Sequence, residues 1–149
     1  MTLSTLYNDL IDRIIVELKT ISELTGTPNQ AKVYKWKPVR RNPTQGETEA
    51  VVMAGPMQPI EGFTTHSSNN EFVIIVDIIH WSKTMEAGFS LAMGVAEKIY
   101  DQFHLTNINS LVRIAKVAIF PGDGELSSEN LLAIPIRITI TCEKVITQI

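Results

Sequence analysis

The stretch from residue 71 to 81, EFVIIVDIIHW, constrains this chain more than any other. It is the most hydrophobic run in the sequence and is rich in β-branched side chains, which fit a pleated surface better than a helix. At period two, Phe72, Ile74, Val76, Ile78 and His80 fall on one side, and Val73, Ile75, Asp77, Ile79 and Trp81 on the other. Each side is apolar apart from one polar residue. Such a strand is expected to be covered on both faces and to lie at the centre of a sheet. It is much shorter than the roughly 20 apolar residues a helix needs to cross a bilayer, so no membrane partner is expected.

The elements around it follow from periodicity. Residues 3–24 place Leu3, Leu6, Tyr7, Leu10, Ile11, Ile14, Leu18, Ile21 and Leu24 at helical spacing. That predicts an amphipathic helix, capped by Thr2 or Ser4 and stopped by Gly26 and Pro28. AKVYKW, 31–36, predicts a short strand. The turn-rich 37–49 holds two prolines and one glycine, with Arg40 and Arg41 beside Lys35 and Lys37, and predicts a long loop. AVVMA, 50–54, predicts a second short strand, and 55–70, with prolines and glycines, a second long loop. A second helix is expected over 85–103, capped by Ser82 or Thr84. Its small residues Gly88, Ala92 and Ala96, four apart, would let it sit close to a neighbour.

LVRIAKVAIF, 111–120, predicts a strand, PGDGE, 121–125, a turn, and 132–146 a long strand. In that last strand Leu132, Ile134, Ile136, Ile138, Ile140 and Cys142 share one face. Arg137, Thr139, Thr141 and Glu143 share the other, the alternation of a half-buried antiparallel strand. Pro135 suggests that its early part lies at an edge or bulge. The expected architecture is one α+β domain over 1–149: a mixed, mainly antiparallel sheet with two amphipathic helices packed on one face.

Bulk properties exclude some classes. The 149 residues suit one domain with one sizeable core. A net charge of −3, from 13 basic and 16 acidic side chains, does not favour nucleic acid as the main partner. The single cysteine, Cys142, excludes an internal disulfide, and the N-terminus lacks the basic start and apolar run of a signal peptide, so synthesis in the cytoplasm is expected.

Few residues carry chemistry. His66, His80 and His104 have no metal-ligand spacing, and no metal or other cofactor is expected. Asp77 is a carboxylate inside the most apolar strand. Catalysis is one reading, but pairing with a base such as Lys35 or Lys116 is favoured, because an unpaired buried charge is costly. Cys142 reads as a small buried hydrophobe rather than a nucleophile. The sequence has no G-x-S-x-G, P-loop or G-x-G-x-x-G. The PGDGE turn offers only Asp123 and Glu125 to a cation, without EF-hand spacing.

The layout as a whole resembles the tail terminator (tail completion, head–tail joining) proteins of tailed bacteriophages. The likeness lies in the N-terminal helix LYNDLIDRIIVELKTI, the basic proline-flanked loop, and EFVIIVDIIHW running into MEAGFSLAMGVAEKIYDQF. It ends in the pair LVRIAKVAIF-PGDGE and LLAIPIRITITCEKV. The resemblance implies a non-enzymatic virion subunit that forms a ring, a hexamer in such families. The ring would cap the tail-tube protein, meet head–neck connector proteins, and let DNA pass through its lumen without specific binding. It nominates the loops 37–49 and 55–70 as contacts; Arg40 and Arg41, taken alone, read first as part of a solvated loop, and as a basic contact with an acidic partner surface in the functional reading. The polar face of the last strand is the expected ring-facing surface. Glu47, Glu49, Asp123, Glu125 and Glu129 are candidate lumen acids, since basic residues would hold phosphate. The alternatives are a head-closure or tail-tube subunit and, in a different class, a small ligand-binding domain or enzyme centred on Asp77 and His80 with Trp81 beside them.

Overall fold

The computed structural model describes residues 2–27, 31–36, 44–62, 67–108, 115–122, 124–126 and 131–147. Two helices pack on one mixed, mostly antiparallel sheet, an α+β fold. In chain order the elements are α1 (Leu3–Leu18), a 3-10 turn (Ser22–Leu24), β1 (Val33–Lys35), β2 (Thr48–Gly62) and β3 (Ser67–Ser82). Next come α2 (Met85–Phe103), β4 (Lys116–Pro121), β5 (Glu125–Leu126) and β6 (Leu132–Thr147). The sheet order is β1-β2-β3-β6-β4, with β5 also paired to β6. β1 runs parallel to β2, and every other pairing is antiparallel. The EFVIIVDIIHW run lies within the central strand β3, between β2 and β6.

α1 begins as its sequence suggests: Thr2 is the N-cap and its hydroxyl accepts from the Thr5 N–H at 3.1 Å. It ends at Leu18, earlier than the apolar spacing implies. Past it, Thr20 Oγ1 donates to the Glu17 carbonyl, and Thr25 Oγ1 to the carbonyls of Lys19 and Ile21. These threonine side chains offer the backbone partners outside the helix ladder, the competition that makes hydroxyl residues poor in helix interiors. Ile21 and Leu24 still enter the core, from the turn rather than from the helix.

The largest difference is at 55–70. Its described residues are strand, not loop: β2 continues to Gly62 and pairs with a β3 that begins at Ser67. The register shifts between Ala54 and Met57 and between Pro59 and Glu61, and these irregularities take up Pro56 and Pro59. β1 pairs only with residues 50–52 of β2. The far side of the later part of β2 therefore has no described strand to which a proline would fail to donate. Gly55 is required here, because a Cβ would sit 2.9 Å from the Val73 carbonyl oxygen of the facing strand.

Pro135 is also not at an edge. It pairs with Ile79 of β3, and its carbonyl accepts from the Gly122 N–H at 3.0 Å. The N–H and C=O of one strand residue point to the same side, so the missing donor faces the β4–β5 turn and no bond to β3 is lost.

The core lies between the helices and one face of the sheet. Leu6, Leu10, Ile11, Ile14 and Leu18 of α1 meet inner-face residues that include Val52, Phe72, Ile74, Ile78 and Ile138, all buried. α2 sits close: a Cβ on Gly88 would lie 2.2 Å from Ile134 Cδ1 and 2.6 Å from Ser82 Cβ, and Ala92 and Ala96 are fully buried. The stripe of small residues is what permits this approach. No described helix is long and apolar enough to cross a membrane.

Candidate functional site

The alternation of β3 sorts its polar residues onto opposite faces of the sheet. His80 continues the inner, helix-covered row, whereas Asp77 and Trp81 lie on the outer row. The three cannot converge in one site, and a centre built on Asp77 and His80 together is excluded by the register itself.

The outer row holds Val73, Ile75, Ile79 and Trp81, all half-buried, with Met53 of β2 and Ala118 and Phe120 of β4 on the same side. None of these residues belongs to the core cluster, and both helices pack on the other side. Phe120 is 54% exposed. On this side β3 is half-covered, and Glu49 and Val51 of β2, opposite Ile79 and Asp77, are each 4% exposed, so the expected cover is complete on the inner face and partial on the outer one, among the described residues.

Asp77 lies at the middle of this surface, directly opposite Arg137 of β6. The pair is bidentate: Arg137 Nε donates to Oδ1 at 2.9 Å and Nη2 to Oδ2 at 3.0 Å. The hydrogen bonds and charge of Asp77 hold the Arg137 guanidinium above its ordinary pKa. The pairing is of the expected kind, but the partner is Arg137. Lys35 instead pairs with Asp12 of α1 at 2.8 Å, and Lys116 pairs in register with Thr141. Only the β3–β6 register, which sequence periodicity does not supply, identifies Arg137.

The nominated acids and bases scatter. Glu49 is part of β2, opposite Ile79, and is 4% exposed, so it is a buried strand residue rather than a loop acid. Glu47 is half-buried just before β2, its carbonyl accepting from the Trp81 N–H at 3.0 Å. Glu125 belongs to β5, opposite Ala133. Arg40, Arg41, Asp123 and Glu129 lie outside the described residues. Cys142 is buried on the inner row, and burial pushes its thiol up to about 12, far from a reactive thiolate. The described residues contain no group of three His, Cys, Asp or Glu placed to hold a metal ion.

A pocket of about 210 Å³ opens on the helix side of the sheet. Its walls include Glu23 of the 3-10 turn, Thr48 of β2, His80 of β3, and Gly94, Val95 and Lys98 of α2. His80 is 3% exposed, with Nδ1 2.7 Å from Thr48 Oγ1, and its Nε2 is buried without a hydrogen-bond partner. Burial lowers the His80 pKa, so the ring is neutral at pH 7. Lys98 and Glu23 form an ion pair at the rim, and the hydrogen bond from Lys98 holds the Glu23 carboxyl below the usual range. The Glu23 side chain is 37% exposed, and hydrogen bonds from its own backbone and from Ser22 add to the lowering. His80 is visible in the sequence as the one polar residue of an apolar row. Glu23, Thr48 and Lys98 carry no such signal and meet only through the fold.

No family model matches the chain, and no curated protein matches it either. Among solved structures, a chain in the virion of a native gene transfer agent particle is similar to this one at 16% identity, with a TM-score of 0.46. The match covers 87% of this chain and 91% of that chain. A likeness of that size does not carry a role from one chain to the other.

Proposed function

We propose that this chain is a structural subunit of a phage-type virion, and within that class a tail terminator. It forms a ring, of six copies by the family layout it resembles, on the last ring of the tail tube. It presents its far side to the head–neck connectors, and DNA passes through the lumen without specific binding. The protein is made in the host cytoplasm and ends in the virion. The gene transfer agent chain also comes from a virion, but its TM-score adds no weight to this reading.

The observation that supports an assembly subunit is the outer face of the sheet. The row of Val73, Ile75, Ile79 and Trp81 lies on the face away from the helices and is only half-buried, with Phe120 54% exposed beside it. Apolar side chains grouped on an open sheet face mark interaction sites. The Asp77–Arg137 pair at its centre gives the surface one polar feature that can fix orientation, which is how charges serve an interface. The occupant proposed here is a neighbouring copy of the same chain. An enzyme reading lacks comparable support: Asp77 is tied to Arg137, and Cys142 is sealed in the core. Within the ring, the segment 37–47 that precedes β2 is a proposed contact carrying Arg40 and Arg41. Glu47, Asp123 and Glu125 are the acids proposed for the lumen.

The test is to mix the purified protein with tail tubes assembled from the tube protein of the same genome. Electron microscopy should show one ring of added mass at tube ends, and tube growth should stop. Open-ended polymers of this chain alone would make it a tube protein, and tubes that grow on unaltered would overturn the terminator reading. Charge reversal at Glu47 that left assembly and DNA delivery intact would remove that residue from the lumen.

A further inference from the structure

We infer that the exposed side of α2 is the surface that receives a neighbouring copy of this chain, and that the basic segment 37–41, KPVRR, of that copy docks there. The inference rests on the ring reading and deepens it. A ring of more than two copies is built from a heterologous contact, in which two different patches of each copy meet. The outer face of the sheet and the segment before β2 supply one patch. The other lies elsewhere on the molecule, and α2 covers the opposite side of the sheet.

Helical spacing divides the side chains of α2. Its buried residues, between Gly88 and Phe103, belong to the packing against the sheet. Glu86, Phe89, Met93, Glu97, Tyr100 and Asp101 fall together on another side, and all but the partly buried Met93 are exposed. They make an apolar strip of Phe89, Met93 and Tyr100 edged by three carboxylates. Tyr100 stacks on His104 with ring centroids 4.3 Å apart, and His104 Nδ1 accepts the Val117 N–H of β4 at 3.0 Å. The aromatic end of the strip is thus held in place before anything binds, which lowers the cost of binding.

Charge selects the occupant. Asp12, Glu17, Glu23 and Asp77 are each tied to a base, whereas Glu86, Glu97 and Asp101 form no ion pair among the described residues. Lys98, the one base of α2, is committed to Glu23. Glu97 and Asp101 are like charges four apart, which destabilise a helix. Asp101 also lies in the last turn, at the negative end of the helix dipole, and that turn holds no base. Each of these favours a cation brought from outside. The richest basic run in the chain is 35–41, KWKPVRR, and of its four bases Lys35 already pairs with Asp12. Arginine suits this surface in particular, because its guanidinium grips a carboxylate as a fork and stacks on aromatic faces. Pro38 and Val39 bring apolar groups to an apolar strip. Within one copy the segment follows β1 at one edge of the sheet, while α2 packs on β3, β6 and β4 towards the other, so the docking is between copies.

The experiment is a charge exchange in the full chain, read as mass added to tail tubes of the same genome and, for the make-up of the ring, by native mass spectrometry. One variant carries Arg40→Glu with Arg41→Glu, the other Glu97→Lys with Asp101→Lys, and both should keep the wild-type denaturation midpoint. Each alone should add to the tubes about tenfold less well or worse, because every contact then opposes like charges. Mixed in equal amounts, the two should restore the ring, since six copies close with the variants alternating and every contact paired. One chain carrying all four changes should assemble as well. Where reversal costs the fold, Glu97→Gln with Asp101→Asn takes its place and should weaken addition in the same direction. Either reversed variant adding alone as well as the wild type would overturn the contact and leave the ring reading standing. Rescue in the four-change chain but not in the mixture would put the pairing inside one copy, and rescue in neither would mean that these charges do not meet. Both results overturn the inference. A wild type that forms no ring would overturn the ring reading, and this contact with it.

Discussion

The two faces of β3 are nearly alike in composition and unlike in circumstance. The inner row, Phe72 to Ile78, is fully buried beneath α1 and α2. The outer row, Val73 to Ile79, carries the same kinds of side chain, half-buried, with one ion pair at its centre. Folding explains the first row, because burying it removes apolar area from water at roughly 25 cal/mol per Å². Folding of one chain buries the second only in part. The apolar surface left over is what the proposed contact between copies covers, and it is the reason to read this domain as a part of something larger.

The comparison can be broken by substitution. Phe72→Ala on the inner row should cost about 3–5 kcal/mol in chemical denaturation, since it opens a cavity in a fully buried site. Ile75→Ala on the outer row should cost less, about 1–2 kcal/mol, because its side chain is only half-buried in the isolated chain. Similar losses at the two sites would mean that the outer row is sealed within the monomer. Gly88→Val sharpens the account of the inner face. Its Cβ position already overlaps Ile134 and Ser82, so overpacking should cost about 1–3 kcal/mol.

His80 adds a pH dependence to the inner side. Burial lowers its folded pKa below the ordinary 6.5, so the unfolded chain binds the proton more readily. Its contribution to stability is complete above that ordinary value and is lost as pH falls from there towards the folded pKa. Denaturant midpoints of the wild type should therefore drop on acidification below neutrality, and the slope should be shallower in His80→Phe. The smallest effect is expected at the centre of the outer face. Asp77→Asn breaks a bidentate pair whose Arg137 side chain is 55% exposed and Asp77 25%, and screening limits the loss to about 1 kcal/mol or less in the monomer. A larger effect on assembly than on monomer stability would place the pair at an interface.

Much of this fold is legible in the sequence because period does the work. The β3 run, the second helix from Met85 to Phe103 and the alternation of β6 all carry their own pattern. The stretch 55–70 was misleading because proline and glycine signal loops locally, while strand pairing with register shifts is a tertiary outcome. The end of α1 turned on threonine hydroxyls that an apolar count ignores. At the sites, residue type was legible and partnership was not. Asp77 announces that it needs a base, but Arg137 lies sixty residues away and is found only through register. The pocket joins a 3-10 turn, two strand ends and a helix, so no local window contains it.

The central claim is that the outer face of the sheet is where copies of this chain meet. The most direct measurement is mass by light scattering, with tail tubes of the same genome added, for the wild type and for Phe120→Asp, a change at an exposed position of the same face opposite Arg137. The account predicts that the wild type adds as a discrete ring, while the variant keeps a native denaturation profile and stays off the tubes as a monomer. A folded Phe120→Asp that adds to the tubes as well as the wild type would contradict it.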